Sequence, residues 1–127
     1  MESVKLTPGE WNVLNCLWER NPRTVMQIVG ELEKTVGWHR STTITTLHRM
    51  EAKGLIGCKP VGRGTAYVPL VDREGAETAE TRSFLNRVYR GSIGMMMSAM
   101  AQRQELSGDE IAELRAILDQ AEKGGAE

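Results

Sequence analysis

A chain of 127 residues with 40% apolar and 5% aromatic content is sized for one domain, or for two small pieces sharing a lean core. Its formal net charge of −1 argues against a polyanion partner for the chain as a whole, yet the charge is unevenly placed: residues 1–71 carry nine Lys and Arg against six Asp and Glu, and residues 72–127 carry seven against eleven. Between Gly37 and Val71 five basic residues meet one acidic residue, so the local field there is positive. The two cysteines, Cys16 and Cys58, have no His or Cys at ligand spacing, which argues against a zinc or redox centre. No apolar run reaches the ~18 residues of a membrane span, and MESVKLTPGE contains no hydrophobic secretion segment. A cytoplasmic protein without metal, cofactor or membrane attachment is expected.

In chain order, Thr7-Pro8-Gly9-Glu10 is a helix start, with Thr7 as cap, Pro8 where a missing N–H costs nothing, and Glu10 closing a capping box. The predicted helix runs to about Arg20 and buries Trp11, Leu14, Leu17 and Trp18, with Cys16 as a small core residue beside them. Asn21-Pro22 breaks it. Thr24 to Gln27 repeats the capping pattern, and Val25, Ile28, Val29, Leu32 and Val36 continue at helical spacing to Gly37. A short corner, Gly37-Trp38-His39, leads into a third helix over residues 40–53. Its inward stripe is Thr43, Thr46, Leu47 and Met50, followed by Leu55, and Gly54 supplies the left-handed stop. Its outward face carries Arg40, Ser41, Thr42, Thr45, His48 and Arg49, with Lys53 near the end. Short hydroxyls between arginines suit a surface pressed into a groove of phosphates and base edges. The same composition also suits a solvated helix face, and the helix alone does not decide between the two.

After Gly54 the period changes. Leu55 to Val61 reads as a strand, Gly62-Arg63-Gly64 as a tight turn, and Thr65 to Val71 as the returning strand, with Pro60 and Pro69 confining both to edge positions. A lone two-stranded ribbon is unstable and must lie against the helices. Three helices followed by a hairpin describe a winged helix-turn-helix, mainly α with a small β-hairpin. Lys59 and Arg63 fall on this wing. An arginine at a hairpin tip can serve solubility alone; beside a cationic helix face it becomes a second phosphate contact.

From Asp72 the pattern is acidic and helical. Arg73 to Arg90 contains Phe84, Leu85, Val88 and Tyr89; Gly91 and Gly94 bracket a bend, and Ile93, Met96, Met97 and Met100 continue the stripe. Ser107 to Glu110 opens a last helix with Ile111, Leu114, Ile117 and Leu118 inward, and the tail from Glu122 is expected to fray. The Met95-Met96-Met97 run reads as adaptable packing. This piece has too little apolar surface to offset the entropy of ordering its own residues, so a second copy is expected to complete its core in a two-fold dimer. The chain therefore divides into a winged-helix domain, residues 1–71, and a helical dimerisation domain, residues 72–127.

LTPGEWNVLNCLWE, TVMQIVGEL, STTITTLHRMEAKGLI, the GRG turn with YVPLV, FLNRVYRGS and ELSGDEIAELRAIL together resemble the BlaI/MecI/CopY family of penicillinase-type repressors, over nearly the whole chain. The resemblance implies a winged-helix DNA-binding domain, a C-terminal dimerisation region and repression of resistance or stress operons from a palindromic operator. By position it places residues 40–53 in the major groove and residues 59–67 on the wing. Ile44 departs from relatives that carry a longer polar or cationic side chain there. The penicillinase repressors are inactivated by a cut between an Asn and a Phe, which implies a sensor-associated protease as a partner. Aligned on Glu105-Leu106, that bond falls at Ala99-Met100, where neither residue matches. The C-terminal cysteine cluster of copper-responsive relatives is missing, so copper sensing is not supported.

The expected function is a homodimeric repressor on double-stranded operator DNA. Arg40, Arg49, Lys53, Lys59 and Arg63 would supply phosphate or guanine contacts, and Ser41, Thr42, Thr45 and His48 short hydrogen bonds and methyl contacts. The alternative is a winged-helix protein-interaction module whose cationic face docks on an acidic partner. An enzyme is not expected: no nucleophile–base pair stands out, and Gly62-x-Gly64 lacks the strand–loop–helix setting of a phosphate loop.

Overall fold

Reciprocal capping boxes set the starts of the first two helices. In the computed structural model, which describes residues 5–125, Thr7 Oγ1 accepts from the Glu10 amide and Glu10 Oε1 accepts from the Thr7 amide. Helix α1 then runs over Pro8–Glu19. Thr24 and Gln27 make the same exchange at the head of α2, Val25–Thr35. Each box satisfies two amides that a helix start otherwise leaves open. Inward, α1 buries Val13, Leu14, Cys16 and Leu17, and α2 buries Ile28, Val29 and Leu32. Trp11 and Trp18, expected inside, stay half-buried, stacked edge to face with centroids 5.8 Å apart. Trp18 keeps its polar edge in use by donating Nε1–H to the Val71 carbonyl at 2.9 Å. Val36, also expected on the inward stripe, is exposed, because α2 has ended and Val36 serves as its C-cap.

Gly37, at φ +78°, turns the chain through Trp38 and His39 into α3, Arg40–Lys53. α3 buries Thr43, Leu47 and Met50 and stops at Gly54, whose φ of +79° is the left-handed geometry expected of it. Thr46 is half-buried, and its hydroxyl donates to the Thr42 carbonyl at 2.7 Å. The fully buried Thr43 hydroxyl has no hydrogen-bond partner among the described residues, so packing at this position is won against a desolvation cost.

The hairpin follows as β1, Ile56–Val61, and β2, Gly64–Pro69, antiparallel in a register from Ile56 opposite Pro69 to Val61 opposite Gly64. Both strands are shorter than expected, since Leu55, Leu70 and Val71 lie outside the ladder. Gly62 takes φ +59° in the two-residue turn. The ribbon is not left with two strands alone. Arg23, between α1 and α2, exchanges both backbone hydrogen bonds with Tyr67, the Tyr67 amide donating at 2.7 Å and the Arg23 amide at 3.1 Å. This bridge stitches the wing to the helical body. Leu6, Val13, Leu14, Leu17, Ile28, Leu32, Leu47, Met50, Leu55, Ile56 and Tyr67 form the common core.

Helix α4, Arg73–Tyr89, begins as part of this body: Ala76 joins the same core and the Arg73 guanidinium lies 5.8 Å from the Trp18 ring centroid. The chain divides into two compact units within α4, between Thr81 and Arg82. The second unit contains the end of α4, α5 over Ile93–Gln102 and α6 over Gly108–Gly125. Arg90 and Gly91, both at positive φ, make the bend before α5, and Gly94 lies within α5 rather than at the bend. The Ser92 hydroxyl caps α5, and Ser107 and Glu110 form the box that opens α6. α6 stays helical from Glu122 to Gly125, where fraying is expected, and the last two positions of that tail, 126–127, lie outside the described residues.

Glu10 links two helices through its two oxygens. Oε1 accepts from the Thr7 amide at 2.9 Å, and Oε2 accepts from the Lys53 ammonium at 2.6 Å, joining the start of α1 to the end of α3. Burial alone would raise the pKa of this carboxyl; the Lys53 hydrogen bond and charge, with the Thr7 bonds, outweigh it and hold the pKa below the usual glutamate range. A folded-state pKa lowered in this way stabilises the fold fully above the unfolded-state value, about 4.3, and the contribution is lost as pH falls through the folded value. Glu10→Gln keeps the amide acceptor and removes the charge. It is expected to lower stability by about 1 kcal/mol in urea unfolding at pH 7, a figure kept small because Lys53 is over half exposed. The gap between variant and wild type should close once pH lies below the folded pKa; a gap independent of pH would rule out the ion pair as its source.

Candidate nucleic-acid interface

The rotation of α3 about its own axis is fixed from inside. With Thr43, Leu47 and Met50 held in the core, the side chains of Arg40, Ser41, Thr42, Thr45, His48 and Arg49 are all exposed. The one acid of this helix, Glu51, is engaged by the wing: its Oε1 accepts from the Tyr67 hydroxyl at 3.2 Å and its Oε2 from the Cys58 thiol at 3.6 Å. Burial, then the Cys58 and Glu51 partners, push the Tyr67 pKa far up; burial and the Glu51 charge raise that of Cys58. Both groups therefore remain protonated donors at neutral pH, and the carboxylate is occupied at the α3–wing junction. The outward face over residues 40–49 carries two guanidinium groups and no carboxylate.

The leading end of α3 differs from those of α1, α2, α5 and α6. His39 occupies its N-cap without a side-chain hydrogen bond, which leaves first-turn amides with no side-chain cap. Next to them lies a shallow depression lined by His39, Arg40, Ser41 and Ile44, in which Ile44 is half-buried. On the wing, Lys59 and Arg63 are exposed, Lys59 opposite Ala66 on β1 and Arg63 in the turn. None of the ion pairs among the described residues engages Arg40, Arg49, Lys59 or Arg63. Lys53 is different from these four, because its ammonium is held by Glu10. The geometry thus gathers Arg40 through Arg49 on one face, adds two wing cations, and gives Lys53 a contact within the fold.

Two side-chain pairings that shape this surface have no counterpart in the local sequence pattern. Glu10 and Lys53 are 43 positions apart and Glu51 and Tyr67 are 16 apart, with no local spacing rule to connect them. A second groove, lined among others by Arg20 and Arg23 ahead of α2 and by Gln27 and Lys34 on it, follows from no local pattern, and its Arg23 is partly neutralised by Glu31 at 3.7 Å.

In the second unit, the residues expected at a dimer contact separate by exposure. Leu85 is buried within its own chain; Tyr89, Met96, Met97, Met100 and Leu114 are half-buried; Phe84, Val88, Ile93, Ile111 and Leu118 are exposed. Met95 and Ile117 add to the exposed apolar surface, Ile117 at 54% and Leu118 at 66%. Phe84 and Tyr89 pack edge to face with centroids 6.1 Å apart. Ala99 and Met100, the bond aligned with the cut of the penicillinase repressors, lie inside α5 and are partly buried. Among the described residues no cluster of His, Cys, Asp or Glu has the makings of a metal site, and no helix is long and apolar enough to cross a membrane.

Comparison with known proteins agrees with this architecture. A family model described as penicillinase repressor matches residues 6–120. The penicillinase repressor of Bacillus licheniformis is 31% identical over 116 residues, covering 91% of each chain. The methicillin resistance regulatory protein MecI of Staphylococcus aureus (strain N315) is 28% identical over 118 residues, 93% of this chain and 96% of that one. Among solved structures, the monomeric form of Bacillus licheniformis BlaI in complex with the blaP half-operator superposes with a TM-score of 0.52 at 26% identity, over 58% of this chain and 90% of its own. With a family model matching most of its length, and six helices with one antiparallel hairpin among the described residues, this chain is a winged-helix member of the penicillinase repressor family, a family of transcriptional repressors and not of enzymes.

Proposed function

We propose that this chain is a homodimeric transcriptional repressor that binds a palindromic, double-stranded DNA operator through the helix over residues 40–53 and the wing over residues 59–67. The observation that carries this reading is the outward face of α3: arginines and short hydroxyls, all exposed, with the helix's only carboxylate drawn away to Tyr67 and Cys58. The major groove admits an α-helix, and arginine forks and hydroxyls match the acceptors and donors on its floor and walls. In this reading Arg40 and Arg49 contact guanine or phosphate, and Ser41, Thr42, Thr45 and His48 make short hydrogen bonds and methyl contacts. The uncapped amides at the head of α3 face phosphate, and Lys59 and Arg63 grip the backbone beside the groove. Lys53 serves indirectly, by holding α3 to α1 through Glu10. That a BlaI monomer has been solved on a half-operator supports one α3 per half-site.

The dimer rests on the second unit. Residues 82–125 expose Phe84, Val88, Ile93, Met95, Ile111, Ile117 and Leu118, an apolar inventory that a water-facing helical unit has no use for. An isologous contact would cover it and set two α3 helices about 10 bp apart, centre to centre, in successive major grooves.

Three outcomes are expected. If three cations per subunit meet phosphate, the dimer's affinity for operator DNA should fall with salt at a log–log slope of roughly −5, measured by fluorescence anisotropy; a flat response favours a protein-docking module instead. Arg49→Ala should weaken operator binding by about 1–3 kcal/mol and relax specificity at one base pair if Arg49 reads a base, whereas a uniform loss across sequences with a slope shallower by about 1 marks a phosphate contact. Leu118→Glu should convert a dimer to a monomer in sedimentation equilibrium, and an unchanged mass would place the interface elsewhere.

A further inference from the structure

Of the large apolar side chains on α3, Leu47 and Met50 are sealed in the core at 1% and 0% exposure, while Ile44 is not. It sits at the seam between the buried stripe and the outward face, four residues after Arg40 and four before His48, and forms the apolar wall of the depression it shares with His39, Arg40 and Ser41. The core beneath is already filled by Thr43, Leu47 and Met50, so Ile44 lends only its inner side to packing and keeps its outer side free. We infer that Ile44 is a specificity-determining residue that reads the C5-methyl group of a thymine in the major groove.

The chemistry singles out one base. Thymine alone presents a methyl group on the major-groove edge, whereas cytosine presents an amino donor at the neighbouring position and the purines present polar groups. A branched hydrocarbon wall gains by covering the methyl and offers nothing to an amino group, which would lose its water without gaining a partner. The β-branched side chain is stiff about χ1, so its methyl groups are already placed before DNA arrives. Arg40, on the same helical row and exposed, supplies the charge that draws the backbone or an adjacent guanine to this spot. Ser41 closes the other side with a hydroxyl able to donate or accept.

This inference rests on the DNA-binding reading above, and the test separates the two. Duplexes are first selected from random sequence with the wild-type protein, and each dT of the selected half-site is then replaced in turn by dU, which removes only the methyl group. At one position per half-site the replacement should weaken wild-type binding about four-fold, the worth of one buried methyl group. Ile44→Ala should bind the dT and dU duplexes equally at that position, and Ile44→Val should keep most of the discrimination, both variants being checked for wild-type melting. The scan of the wild type stands without either variant. Insensitivity to dU at every thymine, a selected half-site with no thymine, or a penalty unchanged in Ile44→Ala would overturn the inference. Failure of the wild type to retain any duplex at low salt would overturn the DNA-binding reading itself.

Discussion

The carboxylate of Glu10 holds one end of α1 with one oxygen and the far end of α3 with the other. A buried charge is tolerated only where it is paired and hydrogen-bonded, and here the pairing does mechanical duty. Leu47 and Met50 decide which way α3 faces, and the Glu10–Lys53 contact ties its trailing end to the start of α1. A recognition surface depends on both, since an error of about 1 Å in the placement of a donor already weakens the contacts it makes. The Thr7 capping box gains a second function from this arrangement, because a helix start that also anchors another helix cannot loosen without releasing it.

The wing is held with the same economy of parts. Tyr67 uses its backbone to bridge Arg23 and its hydroxyl to reach Glu51, so β2 is joined to the α1–α2 connection on one side and to the end of α3 on the other. A hairpin of six-residue strands would be marginal by itself; fixed at these two points it can carry Lys59 and Arg63 at a defined distance from α3. The Glu51 contact has an electrostatic result as well. It turns the one carboxylate of α3 toward the wing, so the charges from Arg40 to Arg49 are both positive while the chain as a whole stays slightly acidic.

What could be read from the sequence followed the range of the interactions. The capping boxes at Thr7 and Thr24, the left-handed stop at Gly54 and the turn at Gly62 involve residues within a few positions of one another, and each stands where its local pattern places it. The outward face of α3 was equally legible, because a period of 3.6 divides one helix into two faces without further information. Trp11 and Trp18 pack against the core without being sealed in it, because amphipathic spacing ignores volume and the need of an indole N–H for a partner; Val36 is exposed because spacing continues past the residue where the helix ends. The Arg23–Tyr67 bridge and the Glu10–Lys53 pair join distant segments, and only the folded chain brings them together. Lys53 illustrates the result: by composition it belonged with the other cations, and by position it is already committed.

The two faces of α3 have a consequence for how such a protein can change. Folding draws on Thr43, Leu47, Met50 and the Gly54 stop, while the exposed row from Arg40 to Arg49 contributes almost nothing to the core. Exchanges along that row are therefore nearly free of structural penalty, as surface substitutions generally are. One scaffold can be retuned from one target to another without passing through an unfolded intermediate sequence. Ile44 is where this independence ends. Lying on the seam, it belongs in part to each face, so a replacement there alters what the helix touches and how firmly it is seated at once.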